Sequence, residues 1–449
     1  MSGEDVELSH PVHSKLGLAY AGGQLARLPH TRWFTWAQKG GLAILDQGLF
    51  AGTNFIISIL LARWLDPVQY GAFATAYSIF LLLATFHTAI LTEPMLIFGP
   101  GKFVDVFRRY IWLLLWGHAG VTLLISVVLA IVAGILHLTG QGALAQALAG
   151  LAIATPGILV LWILRRAFYV THQVHWAVSG GALYLGLMLA GIYGIYRLNS
   201  LTSFSALVMM GVAGIVVGAW LTYVLHPQRQ PDEQSPTPQT VIGTHWDYGK
   251  WASATAALTW LPGNIYFVLL PVLGGLEDSA GLKAIMNLIM PILQVNSALG
   301  ILIVPVYVRV LHSYGQMELT KWVKRGVVFF SAGAGTYWVV LYLFRSQLFD
   351  VLYGGRYRDY ADLLLPLGAI PVAAGLNIAF GGALRALERP DLIFRCYVVA
   401  TAAALTIGVW LIGTHGSTGA VLGTLISSLV TALSLGWFYL KSGYEAVAL

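Results

Sequence analysis

Twelve apolar runs, each long enough to cross a bilayer, occupy most of this 449-residue chain. A helix needs about 20 mostly apolar residues to span the hydrocarbon core. Runs of that kind lie near 41–62, 71–98, 110–136, 144–168, 176–196, 203–225, 249–274, 281–307, 323–346, 362–384, 393–413 and 417–440. A lipid environment forces each backbone N–H and C=O to pair within its own segment, so these runs are expected to be α-helices. Hydrophobic residues make up 57% of the chain and charged ones only 10%. A soluble chain carries roughly 25% charged residues, so water-soluble globular folds are excluded. The expected class is an all-α integral membrane protein with twelve transmembrane helices. Pro94, Pro291 and Pro305 fall inside spans and predict kinks.

The Lys and Arg positions test the helix count, because cytoplasmic segments collect them. With the N-terminus inside, 19 of the 25 fall on the cytoplasmic side. The outer side receives only Arg63, Arg197, Lys283, Arg345, Arg356 and Arg358. A wrong count would scramble this alternation, so twelve spans with both termini in the cytoplasm is the expected topology. MSGEDVELSHPVHSKLG has no basic stretch leading into an apolar one, so no cleavable signal peptide is expected.

One polar segment, HPQRQPDEQSPTPQT at 226–240, is rich in Pro and Gln and reads as a linker near the midpoint. The resulting map is an N-terminal interfacial segment 1–40, a six-helix bundle 41–225, a linker 226–248, a second six-helix bundle 249–441 and a tail 442–449. A shift of 210 residues lays Asn54 on Asn264 and Gly71 on Gly281. Both halves enter from the same side, so the two pseudo-symmetric bundles are expected to be related by an axis along the membrane normal, around a central cavity.

Polar residues inside spans carry the functional argument. On the first span Gln47, Ala51, Asn54 and Ser58 share one helical face, next to Asp46. That face either lines a polar cavity or makes interhelical hydrogen bonds. A carboxylate about one turn inside the membrane is costly, so Asp46 either binds a coupling cation or pairs with a cytoplasmic Arg. Lys283, Asn287, Met290, Gln294 and Ser297 form a similar stripe on the eighth span, although Lys283 could instead snorkel to the outer interface. Glu93 precedes Pro94, which frees a backbone carbonyl. It is a candidate protonatable gate, or a salt-bridge partner of Arg165 or Arg166. Arg165, Arg166, Arg309 and Arg385 stand at cytoplasmic helix ends, where guanidinium groups suit phosphate capture or simply follow the positive-inside pattern.

Catalytic signals are missing. No glycine-rich phosphate loop and no HExxH pair occur, and His87, His118, His137 and His172 are scattered. The one cysteine, Cys396, rules out a disulfide framework and a Cys-based metal site. An enzyme, a metal centre, a resident cofactor and a nucleic-acid partner are therefore not expected.

Asn54-Phe55, Leu61-Ala62-Arg63 and Tyr70-Gly71-Ala72-Phe73 in the first hairpin resemble the opening of bacterial polysaccharide flippases of the Wzx type. RRAFYVTHQ at 165–173 and LRALERPDL at 384–392 resemble the ends of the fourth and tenth helices of that group. It belongs to the multidrug/oligosaccharidyl-lipid/polysaccharide exporter superfamily. The resemblance implies two bundles in a V around a cavity that alternates between the membrane faces of the bacterial inner membrane. It implies a polyprenyl-pyrophosphate-linked glycan as cargo, for lipopolysaccharide or exopolysaccharide synthesis, with membrane lipids and polysaccharide assembly proteins as partners and a proton or sodium gradient as driving force. By that analogy Asp46, Gln47, Asn54, Asn264, Lys283, Asn287 and Gln294 would face the cavity. Asp46 and Glu93 would serve coupling or gating, and the four arginines capture. Basic residues deep in the spans are few, which departs from a strongly cationic cavity.

The main rival is a cation-coupled multidrug extruder of the same fold, in which Asp46 and Glu93 act as coupling acids. A major-facilitator carrier would carry a different pattern where this chain has GPGKFVDVFRRY. A polymerase or ligase would need a longer outer loop than 345–361.

Overall fold

The structure is a computed structural model that describes residues 30–228 and 235–445. Most of the expected N-terminal segment (1–29), part of the linker (229–234) and the last four tail residues (446–449) lie outside the described residues. Every regular element among the described residues is helical.

Among the described residues, ten helical stretches are long and apolar enough to cross a membrane. Two are too long for a single crossing, Leu276–Leu343 and Pro390–Ser442. At 1.5 Å per residue the first would extend about 100 Å, more than three hydrocarbon cores. Each breaks at a glycine, Gly315 (φ 78°, ψ −178°) and Gly416 (φ 55°, ψ −128°). Glycine reaches both conformations without the strain a Cβ would bring. The described residues thus make twelve crossing helices. They are α1 (His30–Trp64), α2 (Pro67–Phe98), α3 (Phe107–Leu138), α4 (Gly142–Val170), α5 (Val174–Arg197), α6 (Ser203–Leu225), α7 (Pro238–Leu273), α8 (276–314), α9 (316–343), α10 (Arg358–Ala386), α11 (390–415) and α12 (417–445). The break after α8 falls at Gly315, not at Pro291 or Pro305, which both lie within helical backbone.

α7 begins well before residue 249, where the apolar run starts. Thr237 caps it by accepting from the Thr240 N–H, and Pro238 occupies the first turn. Both are helix-start signals. The polar turns that follow pack against the first half, where α7 and α8 both lie along α2.

Within the first half, α4 and α6 cross at Gly157, Gly211 and Gly214. A Cβ on Gly157 would collide with the Gly211 carbonyl, so the two backbones touch directly. Small residues serve helix pairs in lipid because close packing replaces the hydrophobic drive. On the outside, Leu123, Leu124, Val127, Val128 and Ile131 of α3 are all exposed. A soluble protein rarely shows so continuous an apolar face, whereas lipid requires one. The molecule is a multi-pass membrane protein with two six-helix halves.

Candidate functional site

Between the halves lies a cavity of about 530 Å³. Gln47, Asn54 and Ser58 of α1, Asn264 and Phe267 of α7, and Lys283, Asn287 and Gln294 of α8 line it, with Phe73 and Tyr77 of α2. The amide stripes of the first and eighth helices therefore converge on one space. Asn54 and Asn264, which the 210-residue shift pairs, both line it, one from each half.

One end is shut by contacts between the halves. Ser58 Oγ donates to Asn287 Oδ1 at 3.1 Å, and Asn287 Nδ2 donates to the Tyr70 hydroxyl at 3.0 Å. All three residues are buried. Beyond them Arg63 Nη1 donates across the seam to the Val351 carbonyl at 3.0 Å, and within the second half Tyr353 OH donates to the Ala284 carbonyl at 2.8 Å. Gly71 sits against the Leu276 carbonyl, where a Cβ would collide. Toward the other end, Gln47 and Gln294 are exposed. The cavity is closed where α1 turns into α2 and open toward the start of α1.

Lys283 is the one charged residue on this wall among the described residues. Its Nζ lies 5.4 Å from the Tyr77 ring centroid and 6.0 Å from that of Phe267. No ion pair with a carboxylate holds it among the described residues. Aromatic faces stabilise an ammonium modestly, by about 0.5–2 kcal/mol, and leave its hydrogen-bond donors open to a ligand. The side chain does not snorkel to the outer interface, because the stripe it belongs to faces inward between the halves.

Asp46 is fully buried and off the cavity wall. Arg165 Nη2 lies 2.8 Å from Asp46 Oδ1, Arg165 Nε donates to the same oxygen at 3.0 Å, and Tyr169 OH donates to Oδ2 at 2.7 Å. The Arg165 guanidinium also lies 4.3 Å from the Phe50 ring centroid. This corrects two expectations. Asp46 does not face the cavity, and Arg165 is not a free cation at a mouth, since each neutralises the other. Arg166, Arg309 and Arg385 are exposed, but none lines the cavity.

Glu93 makes no salt bridge to Arg165, whose charge Asp46 takes. Its Oε1 accepts instead from the Tyr248 hydroxyl of α7 at 2.6 Å. One turn earlier on α7, His245 Nδ1 lies 2.8 Å from the Ile90 carbonyl and Nε2 lies 2.6 Å from Tyr110 OH. Pro94 has no N–H for the carbonyl four residues back, which is Ile90, and a π-helical turn at Thr88–Thr92 precedes it. His245 and Tyr248 were not legible as site residues. They sit in polar turns that read as linker, and only the Thr237-Pro238 start signal betrays a helix there.

No protein-family model matches the sequence, and no significant match among curated proteins is found. Solved structures do match. A multidrug resistance MATE family transporter of the MOP superfamily, in an inward-facing conformation, superposes with a TM-score of 0.73 at 12% identity, covering 89% of this chain and 95% of that one. The lipid II flippase MurJ, in an inward closed conformation, gives 0.70 at 10% identity, covering 89% and 87%. A MATE family transporter of the same superfamily in an outward-facing conformation gives 0.57 at 13% identity, covering 91% and 96%. This chain therefore has the fold shared by MATE transporters and the lipid II flippase, with two six-helix halves around a central cavity.

Proposed function

We propose that this protein flips a polyprenyl-pyrophosphate-linked glycan from the inner to the outer leaflet of a bacterial inner membrane by alternating access. The observation that carries the reading is the charge of the cavity. It holds one cation, Lys283, and no carboxylate among the described lining residues. A pyrophosphate entering a low-dielectric space needs a positive partner, because an unpaired ion there costs several kcal/mol. A cationic drug would be repelled by Lys283 at the same place. The amides of Gln47, Asn54, Asn264, Asn287 and Gln294 suit glycan hydroxyls.

With both termini cytoplasmic, the open end faces the cytoplasm and the Ser58–Asn287–Tyr70 contacts close the outer side. Arg166, Arg309 and Arg385 then form a diffuse cationic approach on the cytoplasmic surface. A proton or sodium gradient would drive the cycle. The domain map, with halves at 41–225 and 249–441, belongs to this reading.

A cation-coupled multidrug extruder is the second reading. Glu93 favours it, as a partly buried carboxylate in a side pocket whose neutralisation by Arg165 or Arg166 is absent. Translocation in proteoliposomes separates the two. Lys283→Ala should slow flipping of a short-chain polyprenyl-pyrophosphate-linked sugar at least tenfold, and Lys283→Arg should keep part of it. Wild-type flipping by Lys283→Ala, or efflux of an organic cation that only Glu93→Gln abolishes, would replace the flippase reading with the extruder.

A further inference from the structure

A second pocket, of about 360 Å³, lies beside the cavity along the seam between α2 and α7. Leu81, Trp162 and Asn264 line both spaces, so the two adjoin across these three side chains. We infer that this side pocket is a sugar subsite, which holds the glycan while Lys283 holds the pyrophosphate. The inference rests on the flippase reading above.

Four features point to carbohydrate. The first is a pair of tryptophans, Trp162 from α4 and Trp260 from α7, that both line the pocket. Indole faces pack against the C–H faces of pyranose rings, and an edge-on aromatic clasp holds Trp162 in place. Its ring centroid is 5.8 Å from Phe50 and 5.7 Å from Phe80, at near-perpendicular angles. The second is unmet hydrogen-bonding capacity. Both indole N–H groups are buried without a partner, and Trp260 is 6% exposed. A buried unmet donor costs about 1–3 kcal/mol, so a ligand hydroxyl or ring oxygen gains by supplying the acceptor once a small shift of the indole brings its N–H to the pocket surface. Asn264 Nδ2 donates to the Trp260 carbonyl at 3.2 Å, which leaves its Oδ1 as an acceptor.

The third is Glu93 at the far end. Tyr248 occupies Oε1, and Oε2 remains to accept from a hydroxyl or an N-acetyl N–H. The fourth is shape. Ala84, Ala89 and Ala256 keep the floor clear where larger side chains would fill it. Tyr77, beneath Lys283, and Glu93 are sixteen residues apart on α2. At 1.5 Å per residue that is about 24 Å, longer than any single sugar ring. A pyrophosphate at Lys283 would therefore point its oligosaccharide along α2, past Trp162 and Asn264, toward Glu93. Both halves contribute walls, so a bound glycan would bridge the parts that must move.

The test is equilibrium binding to the full chain in nanodiscs. The probes are farnesyl pyrophosphate, farnesyl-pyrophosphoryl glucose, galactose and N-acetylglucosamine, and tetraphenylphosphonium. At least one glycosylated probe should bind wild type tenfold or more tighter than farnesyl pyrophosphate. That ratio should fall to near one in Trp260→Ala and Glu93→Gln. Trp260→Phe, which keeps an aromatic face, should retain part of it and serves if Trp260→Ala fails to fold. The subsite is overturned if no sugar improves binding, if the ratio survives in Glu93→Gln and both Trp260 variants, or if these changes weaken only tetraphenylphosphonium. Lys283→Ala tests the parent reading separately. It should weaken every pyrophosphate probe, and a failure to do so counts against Lys283 without touching the sugar ratio.

Discussion

His245 Nδ1 lies 2.8 Å from the carbonyl oxygen of Ile90, the group that Pro94 leaves without its helical donor. The same ring meets Tyr110 OH at 2.6 Å, so one imidazole on α7 ties down both α2 and α3. Its two nitrogens can satisfy both only with the proton on Nδ1, which donates to the carbonyl while Nε2 accepts from the phenol. His245→Ala should leave two buried polar groups unmet and destabilise the protein by about 2–4 kcal/mol. Thermal melting in detergent checks this. His245→Gln, which can still offer a donor and an acceptor, should recover part of the loss.

The Asp46–Arg165 pair should behave as a structural unit. Breaking a buried pair by removing one partner costs about 3–5 kcal/mol, whereas replacing both by apolar groups is often close to neutral. Asp46→Leu and Arg165→Met alone should therefore lower the yield of folded protein sharply, and the double variant should restore most of it. A double variant that folds and still transports would remove Asp46 from the coupling machinery. Equal damage from the singles and the double would show that the pair has a role beyond mutual neutralisation.

The closed end should open when its hydrogen bonds are cut. Asn287→Ala removes the link to both Ser58 and Tyr70, worth about 1 kcal/mol each, so the closed population should drop roughly thirtyfold relative to the open one. A cysteine at position 54, one turn into the cavity from these contacts, in a Cys396→Ser background should then react faster with a membrane-impermeant maleimide added from the outer side. Unchanged labelling would mean that these contacts do not set the equilibrium.

Gly71→Ala should act at the same end by a different route. Its Cβ would collide with the Leu276 carbonyl, a backbone group that cannot rotate away, so the halves must separate there. Its outer-side labelling should match or exceed that of Asn287→Ala. Gly157→Ala, whose Cβ would meet the Gly211 carbonyl inside the first half, should lower the melting temperature without changing that labelling.

The sequence by itself determined the twelve helices, their approximate ends and the polar stripes on α1 and α8. These features are local: apolar run length sets a crossing, and 3.6-residue periodicity sets which side chains share a face. Pro94 even announced a freed carbonyl. The sequence could not say which charges meet, because that depends on how each helix is rotated against neighbours far away in the chain. Asp46 and Arg165 are 119 residues apart, and Glu93 and Tyr248 are 155 apart. Only the tertiary structure decided that Asp46 is neutralised, that Glu93 turns to α7, and that Lys283 points into the space between the halves. In a low-dielectric bundle each buried charge takes the partner that packing delivers to it, and packing is a property of the whole fold.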